Sequence, residues 1–381
     1  VYLHATVRDV QGRKMSKSLG NGIDPLEVVE RFGADALRFT VINAAAVGTD
    51  IYLDPDDLEA SFAPGRNFAN KVWNAGRFTL MSVGDGPVGG LGGVADHLEL
   101  ADRWILSRLS RTAGDMTRAL EKFRLHEVAE TAYHFFWGEL ADWYLELVKP
   151  RLRGEKGEES REAARTVLVT AFDGILRLLH PLVPFVTEEL WQKLPWPEGS
   201  ERPEALITAS WPTPRPEWDD EEAEVQMGSL QELVTQVRRL RKEYGVPEGA
   251  QVAVVLAGAP ESFQKTLEVE AEAVRMLARV GSFTLDRGGM TGAGAHGVLV
   301  NGTELFVPLE GVIDLAREKA RLVGEIQRLD GQLTATQGKL GNQGFLEKAP
   351  PEVVSREREK AASLREQVEK LQEKLRVFGG A

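Results

Sequence analysis

The sequence predicts a mainly α-helical protein built from four consecutive segments, at residues 1–52, 53–248, 249–310 and 311–381. Three observations predict this organisation. Apolar residues recur at helical spacing in the second segment, β-branched runs separated by glycines fill the third, and leucines repeat every seven residues in the fourth. A chain of 381 residues is also too long for one compact core, so two to four domains are expected.

The first segment combines a predicted strand, a loop rich in glycine and lysine, and two helices. The strand is expected at Val1–Val7, where apolar and β-branched residues are frequent. Asp24 and Pro25 mark the start of the first helix, because Asp caps free amide groups and Pro fits the first turn. Gly33 interrupts that helix, so a second one is expected to follow it.

The second segment reads as an antiparallel bundle of helices. Glycine- and proline-rich breaks at 84–93 and 195–216 divide the helices, and the charged stretch 151–160 is predicted to be an exposed loop. The last helix, at 221–244, ends in a basic cluster at 238–242.

The third and fourth segments have different sequence patterns from the bundle. The run Val252–Leu256 and three later strand-like runs surround a helix near 261–279, which predicts a small α/β module. The heptad repeats on either side of 341–351 predict an antiparallel coiled-coil hairpin, about 40 Å long at 1.5 Å per helical residue. Its repeating apolar positions include Leu315, Leu322, Leu329, Leu364, Leu371 and Phe378.

Composition limits the possible functions. There are no cysteines, so disulfides and thiolate zinc sites are excluded, and the scattered histidines predict no metal site. No apolar run is long enough to span a membrane, no signal peptide is recognisable, and a cytoplasmic location is expected. The formal net charge of −12 argues against a generic charge-driven nucleic-acid binder, so any such contact must use local basic surfaces.

The loop Gly12–Asn21, called the signature loop below, carries the clearest chemical signal. Lys14 and Lys17, separated by two residues, can flank one pyrophosphate, and hydroxyl groups or backbone amides can fill the gaps. Flanking glycines allow the loop to open and close. Its role would be to neutralise the charge that develops on departing phosphates. The alternative is a solvated basic surface loop.

A family resemblance adds to this interpretation. Lys14–Ser18 resembles the second signature of class I aminoacyl-tRNA synthetases, and Gly20–Pro25 and Gly33–Arg38 resemble their valine, isoleucine and leucine branch. The isoleucyl members often end in a cysteine zinc module, which is impossible here. Stretches that resemble the valyl members in particular are Arg66–Ala75, Asp102–Leu109, Trp137–Pro150, His180–Trp191 and the hairpin turn with Asn342, Phe345 and Lys348–Pro350.

The resemblance implies a reaction in which valine and ATP, with Mg as part of the substrate, give valyl-adenylate and pyrophosphate before the valine is transferred to tRNA. Lys17 would contact ATP most directly and Lys14 would assist; the nucleotide-binding residues would be Lys14, Met15, Ser16, Lys17 and Ser18. The first segment would end a Rossmann-type catalytic domain and include its stem-contact region. The bundle would bind the anticodon, the hairpin would be a tRNA-binding arm, and the protein would be a monomer.

The chain departs from the family in lacking a His-x-Gly-His signature. We therefore expect the nucleotide-binding half of the catalytic domain and the editing domain to precede Val1, where the chain also lacks an initiator Met. The valine pocket and the editing residues cannot be assigned within this sequence. The chain alone is predicted to be inactive in valine activation, and valine-dependent pyrophosphate exchange is the measurement that checks this.

Candidate tRNA contacts are arginines on locally basic surfaces. From Asp314 to Phe378 the chain has thirteen Lys or Arg residues against eleven Asp or Glu residues, although many can pair along helices. Most aromatic residues of the bundle are expected in its core. The candidates are Arg321, Arg328, Arg356 and Arg358 in the hairpin and Arg238, Arg239 and Arg241 in the cluster before it.

Two other function classes stay open from sequence. A non-catalytic tRNA-binding module is one, although a pure binder has no need of a pyrophosphate-contacting loop. A structural scaffold that dimerises through residues 311–381 is the other. The breaker between two helices of similar length favours an intramolecular hairpin over such a dimer.

Overall fold

The computed structural model describes residues 4–196, 201–286 and 294–377. The chain divides into two compact units, one ending at Met227 and the other beginning at Gly228. The prediction of a mainly α-helical chain is confirmed. The helices are α1 Pro25–Phe32, α2 Ala34–Ala44, α3 Leu58–Val83, α4 Leu100–Glu121, α5 Leu125–Tyr133, α6 Leu145–Leu152, α7 Glu158–Leu179, α8 Pro184–Trp191, α9 Glu221–Glu243, α10 Glu261–Ala278, α11 Leu315–Leu340, α12 Gln343–Lys348 and α13 Pro351–Val377. The strands are β1 Val7–Arg8, β2 Ile51–Tyr52, β3 Val252–Ala257, β4 Val280–Asp286, β5 Gly294–Val298 and β6 Glu304–Pro308.

The first unit begins with a short parallel sheet and two helices. β1 pairs with β2, with Val7 opposite Ile51, and α1 and α2 lie between them in the chain. Asp24 caps α1 as predicted, because the Leu26 amide donates to its carboxylate at 2.9 Å. The strand is shorter than predicted: it starts at Val7, and Val1–Leu3 lie outside the described residues.

A small apolar core holds this region together. Its buried members come from α1, α2, β2 with the segment just after it, and α3, and Met15 of the signature loop packs against it as a partly buried residue. The core residues are Val28, Phe32, Ala36, Ile51, Leu53, Leu58 and Phe62.

Helices α3 to α8 form the bundle, and a π-helical stretch joins α5 to α6 at His134–Tyr144. The aromatic side chains of the bundle are buried only in part. Trp104 is 3% exposed and Phe136 and Tyr144 are fully buried, as expected for the core. Half-buried aromatics are Trp73, Phe78, Tyr133, Trp137 and Trp143. A π-helix of this length is rare, and such stretches are frequent at functional sites. Helical periodicity alone did not distinguish it from an α-helix.

A buried ion pair corrects one sequence expectation. Arg151, predicted to begin an exposed loop, lies in the last turn of α6 instead and is 2% exposed. Its guanidinium contacts the carboxylate of the fully buried Asp102, which also accepts a 2.7 Å hydrogen bond from the Tyr144 hydroxyl. Burial, and then the charge of Asp102, raises the pKa of Tyr144 well above its usual value, so the phenol stays a neutral donor.

A side chain of α2 caps α8 from far along the sequence. The backbone amides of Phe185 and Val186 donate to the Asp35 carboxylate at 3.1 and 2.7 Å, across 150 and 151 residues. Burial raises the pKa of Asp35, and the two amide hydrogen bonds oppose that shift. An acidic group at a helix N-terminus satisfies free amides and complements the helix dipole. The cap therefore joins the first segment to the bundle.

The second unit contains a four-stranded sheet with α10 and the helix pair α11 and α13. The sheet order is β4-β3-β6-β5, with β3 parallel to β4 through α10 and the other pairs antiparallel. Helices α11 and α13 pack through Ile326, Leu329, Leu364 and Val368. The Lys339–Glu357 ion pair of 3.5 Å lies closer to the turn, which requires the two helices to be antiparallel. Phe378, the last predicted heptad position, lies outside the described residues.

Candidate nucleotide loop and nucleic-acid interfaces

The signature loop is held in shape by short local hydrogen bonds. Ser16 begins a single 3₁₀ turn at Lys17–Leu19, where the Leu19 amide donates to the Ser16 hydroxyl oxygen at 3.3 Å. The two hydroxyl groups of Ser16 and Ser18 are 3.2 Å apart. The turn ends at Gly20, whose φ of +64° is in the left-handed region that favours glycine. This turn keeps the serine hydroxyls and the Lys17 side chain on one short segment.

A buried carboxylate anchors both ends of the signature loop. Asp9 is fully buried, and it accepts hydrogen bonds from the Arg13 amide at 2.9 Å and the Asn21 side-chain amide at 2.9 Å. Asn21 in turn accepts a 3.0 Å hydrogen bond from the Ser16 amide. Burial would raise the pKa of Asp9, but the hydrogen bonds from Asn21 and Arg13 outweigh it and hold that pKa at about 2. The carboxylate is therefore charged at neutral pH.

The loop residues point in two directions. Lys14 and Lys17 are exposed. Met15 is half-buried against the apolar core, and its amide donates to the Val7 carbonyl at 3.0 Å. The loop thus presents two cations to solvent while its middle is attached to the fold. The sequence indicated the lysines and serines but not the anchoring role of Asp9 and Asn21. That role could have been suspected, because a side-chain carboxylate and a side-chain amide lie near the two ends of a loop that contains glycines.

The Asp9 anchor predicts a specific acid sensitivity. The lowered pKa contributes stability that is fully present above about pH 4, the range of an unfolded Asp, and is lost as the pH falls through about 2. Thermal unfolding from pH 7 to pH 2 should show the chain more stable than Asp9→Asn at neutral pH, with the difference shrinking below pH 4. Asp85→Asn, at an exposed carboxyl, is the control. A difference that does not depend on pH would contradict the anchor role.

An aromatic groove opens on the bundle beside the π-helical stretch. Its volume is about 500 Å³, and the rings of Tyr133 and Trp137 in its wall are stacked with centroids 5.4 Å apart. The Lys71 ammonium lies 5.2 Å from the centre of the Trp137 ring. Asn67 and Glu130 add hydrogen-bonding groups to the lining. The sequence predicted most aromatic residues of the bundle to lie in its core and did not indicate that this pair lines a groove.

The predicted tRNA-contacting arginines of the hairpin fall into two groups. Arg321 is occupied, because it pairs with Glu318 at 2.7 Å and Glu325 at 2.8 Å. Within the described ranges, Arg328, Arg356 and Arg358 are exposed and make no ion pair. Of the four predicted hairpin arginines, these three are available to an external anion.

The cluster before the α/β module is also divided. Arg239 pairs with Glu243 at 3.4 Å, whereas Arg241 is 8% exposed and donates to the backbone carbonyls of Pro247 and Glu248 at 3.1 and 3.3 Å. Arg238 is exposed and donates to the Leu277 carbonyl at 3.0 Å. Proximity in sequence therefore does not make these arginines equivalent.

Over residues 4–196, 201–286 and 294–377, no group of three His, Asp or Glu side chains could hold a metal ion. No helix within those same ranges is long and apolar enough to cross a membrane.

Comparison with known proteins identifies the family. Three family models match: tRNA synthetases class I (I, L, M and V) at residues 1–54, the anticodon-binding domain of tRNA ligase at 102–256, and the valyl tRNA synthetase tRNA binding arm at 314–379. The valine–tRNA ligase of Carboxydothermus hydrogenoformans is 41% identical over 98% of this chain. The chain belongs to the valine–tRNA ligase family. That of Thermotoga maritima is also 41% identical, over 99% of this chain, and that of Agrobacterium fabrum is 42% identical over 98%.

The match to valine–tRNA ligases covers this chain but not the relatives. The chain spans 41% of the Carboxydothermus and Thermotoga enzymes and 38% of the Agrobacterium enzyme, in the carboxy-terminal part. A solved structure titled "Crystal structure of the ternary complex of Agrobacterium radiobacter K84 agnB2 LeuRS-tRNA-LeuAMS" matches with 20% identity and a TM-score of 0.41. The matched region covers 81% of this chain and 33% of the chain in that solved structure.

Proposed function

We propose that this chain is the part of a valine–tRNA ligase that contacts ATP through the signature loop and holds the tRNA. The whole enzyme would join valine to its tRNA through valyl-adenylate, with ATP and Mg as substrate. The observation that carries the proposal is the signature loop, in which Lys14 and Lys17 are exposed while Met15 and Asn21 attach the loop to the fold. A pure tRNA-binding module would need no such arrangement.

The loop suits the departure of pyrophosphate. The two ammonium groups can follow phosphate oxygens as negative charge develops on them, and the Ser16 and Ser18 hydroxyls can donate to the same oxygens. Because Asp9 holds both ends of the loop, little ordering is needed to bring the lysines to the phosphates. Groups outside this chain would supply the valine pocket and the remaining contacts to ATP.

The second unit would supply the arm that contacts tRNA. The antiparallel pairing of α11 and α13 supports an intramolecular coiled-coil arm rather than a dimerising scaffold, because the apolar positions are already covered within one chain. Arg328, Arg356 and Arg358 are exposed without ion pairs among the described residues, so their charges are free to contact backbone phosphates.

The aromatic groove would receive an unstacked base of the anticodon loop. Stacking on an aromatic ring suits single-stranded RNA, and Asn67 and Glu130 could hydrogen-bond to base edges. Replacing Trp137 by alanine should weaken tRNA binding by about 1–3 kcal/mol, the range for one stacked base. Phe185→Ala, at an aromatic residue that is 65% exposed elsewhere on the bundle, is the matched control. Equal effects of the two substitutions on affinity would contradict the stacking role.

The experiment that tests the proposal is binding of this chain to the tRNAs for valine, isoleucine and leucine across a salt series. We expect tighter, salt-dependent binding of the valine tRNA. Equal weak binding to all three would mean that discrimination needs segments outside this chain. The absence of binding to any of them would overturn the proposed tRNA-holding role.

A further inference from the structure

A cationic cleft in the second unit contains two arginines that the sequence predicted to contact tRNA, Arg238 and Arg241, together with cations that the proposed function does not use. It lies where the carboxyl ends of α9 and α10 and the turn after α9 meet, and its volume is about 820 Å³. Its charged lining consists of Arg238, Arg241, Lys242, Arg279 and Glu248. Four cations therefore face one carboxylate in a chain whose net charge is −12.

The hydrogen bonds that Arg241 and Arg279 make to the turn after α9 do not cancel the charge of these two side chains. Arg241 is 8% exposed and donates to the carbonyls of Pro247 and Glu248, and Arg279 donates to the carbonyl of Glu248. Carbonyl groups satisfy donors, but they carry no formal charge. Burial, and then the positive charge of Arg279, lowers the pKa of Arg241, which is the direction expected when like charges face each other.

The backbone holds these cations in place. Arg279 caps the carboxyl end of α10 with a φ of +54°. Residues other than glycine adopt this left-handed conformation only when the surrounding structure holds them there. The Arg279 amide donates to the Arg275 carbonyl, and its side chain fastens to the turn at Glu248. Lys242, at the rim, is exposed. Two guanidinium groups held by the backbone, beside an exposed ammonium group, suit an anion with several oxygens.

We propose that this cleft binds phosphate groups, and that its ligand is the backbone of the bound tRNA. The choice of RNA rests on the proposed function, whereas the phosphate chemistry rests on the cleft alone. A backbone contact positions RNA without reading its sequence. Lys242 and Arg279 would contact phosphate oxygens, and Arg241 would hold the turn at Pro247 and Glu248 beneath them.

The test compares the full chain with a Lys242→Glu, Arg279→Gln variant, and with Lys242→Glu alone in case the pair disturbs folding. Lys265→Glu is the control, since Lys265 is an exposed lysine of the same module outside the cleft. In the tRNA arm, affinity for the three tRNAs is measured against salt. The double variant should lose about tenfold per cation at 0.1 M salt, equally for all three tRNAs, and its salt slope should fall by about 2. Lys265→Glu should change neither.

A second arm separates RNA from free phosphate compounds. Inorganic pyrophosphate is titrated into the chain carrying Lys14→Ala and Lys17→Ala, so that the signature loop does not contribute, with and without the cleft substitutions. Pyrophosphate binding that the cleft substitutions abolish, combined with unchanged tRNA binding, would overturn the RNA assignment and establish a free phosphate ligand. No loss in either arm relative to Lys265→Glu would overturn the site. If the unaltered chain binds no tRNA, the proposed function fails while the pyrophosphate arm still decides the cleft.

Discussion

Replacing Lys17 by alanine is expected to slow valine-dependent ATP–pyrophosphate exchange about 10²–10³-fold in an enzyme that contains this segment. The Lys17 ammonium group is exposed on a 3₁₀ turn that the fold holds in place. It can therefore stabilise the negative charge that develops on the phosphate oxygens in the transition state. Because that charge is greatest in the transition state, the loss should fall on kcat more than on KM for ATP. Steady-state exchange kinetics over a range of ATP concentrations would measure the effects on kcat and on KM separately.

Two comparisons make the Lys17 result specific. Lys122→Ala removes an exposed lysine of the bundle and should leave exchange unchanged. Binding of tRNA should also be unchanged by Lys17→Ala, since the proposed role of the loop is to contact the nucleotide. A rise in KM with an unchanged kcat would mean that Lys17 binds only ground-state ATP. An unchanged exchange rate would mean that Lys17 takes no part in the reaction.

Replacing Arg151 by methionine is expected to destabilise the first unit by about 3–5 kcal/mol, because it leaves the buried Asp102 charge without its cation. Asp102 is fully buried and would keep only its hydrogen bonds from the Tyr144 hydroxyl and the Glu99 amide. For a unit of this size the loss corresponds to a midpoint lower by about 6–20 °C. Thermal and urea unfolding, followed by tryptophan fluorescence, would measure it.

The control for Arg151 is an arginine of similar position but different burial. Arg161 pairs with Glu158 on the surface of α7, where its side chain is 44% exposed. Exposed ion pairs contribute about 1 kcal/mol or less, so Arg161→Met should barely shift the midpoint. Similar effects of the two substitutions would show that the loss comes from changes in surface charge and not from the buried pair.

The fold was predictable where local chemistry determines structure. Asp24 and Pro25 start α1 because capping depends on adjacent residues, and the heptad leucines pair within the hairpin because their spacing is regular. Arg151 was predicted wrongly, since its burial depends on Asp102, which lies 49 residues earlier. Charge patterns in one segment cannot reveal a partner that only folding brings close.

In the candidate site too, the residues indicated by local sequence were predictable, whereas roles that depend on the folded structure were not. Lys14 and Lys17 are apparent from spacing and resemblance, whereas the Asp9 anchor depends on which side chains turn inward. Arg239 and Arg241 looked alike in sequence, yet one pairs at the surface and the other is buried among carbonyls. Arg279 was missed because it joins the cleft from the end of a different helix, 38 residues after Arg241.

The cap that Asp35 places on α8 has a consequence for the order of folding during synthesis. Its amide partners follow it by 150 residues in the chain. At about 5–20 residues per second, a ribosome makes Asp35 roughly 8–30 s before Phe185 exists. The carboxylate must stay hydrated during that time, and α8 cannot gain its cap until most of the bundle has been translated. Completion of the first unit is therefore a late step, and nascent chains that stop before Pro184 should remain open to proteases near α2.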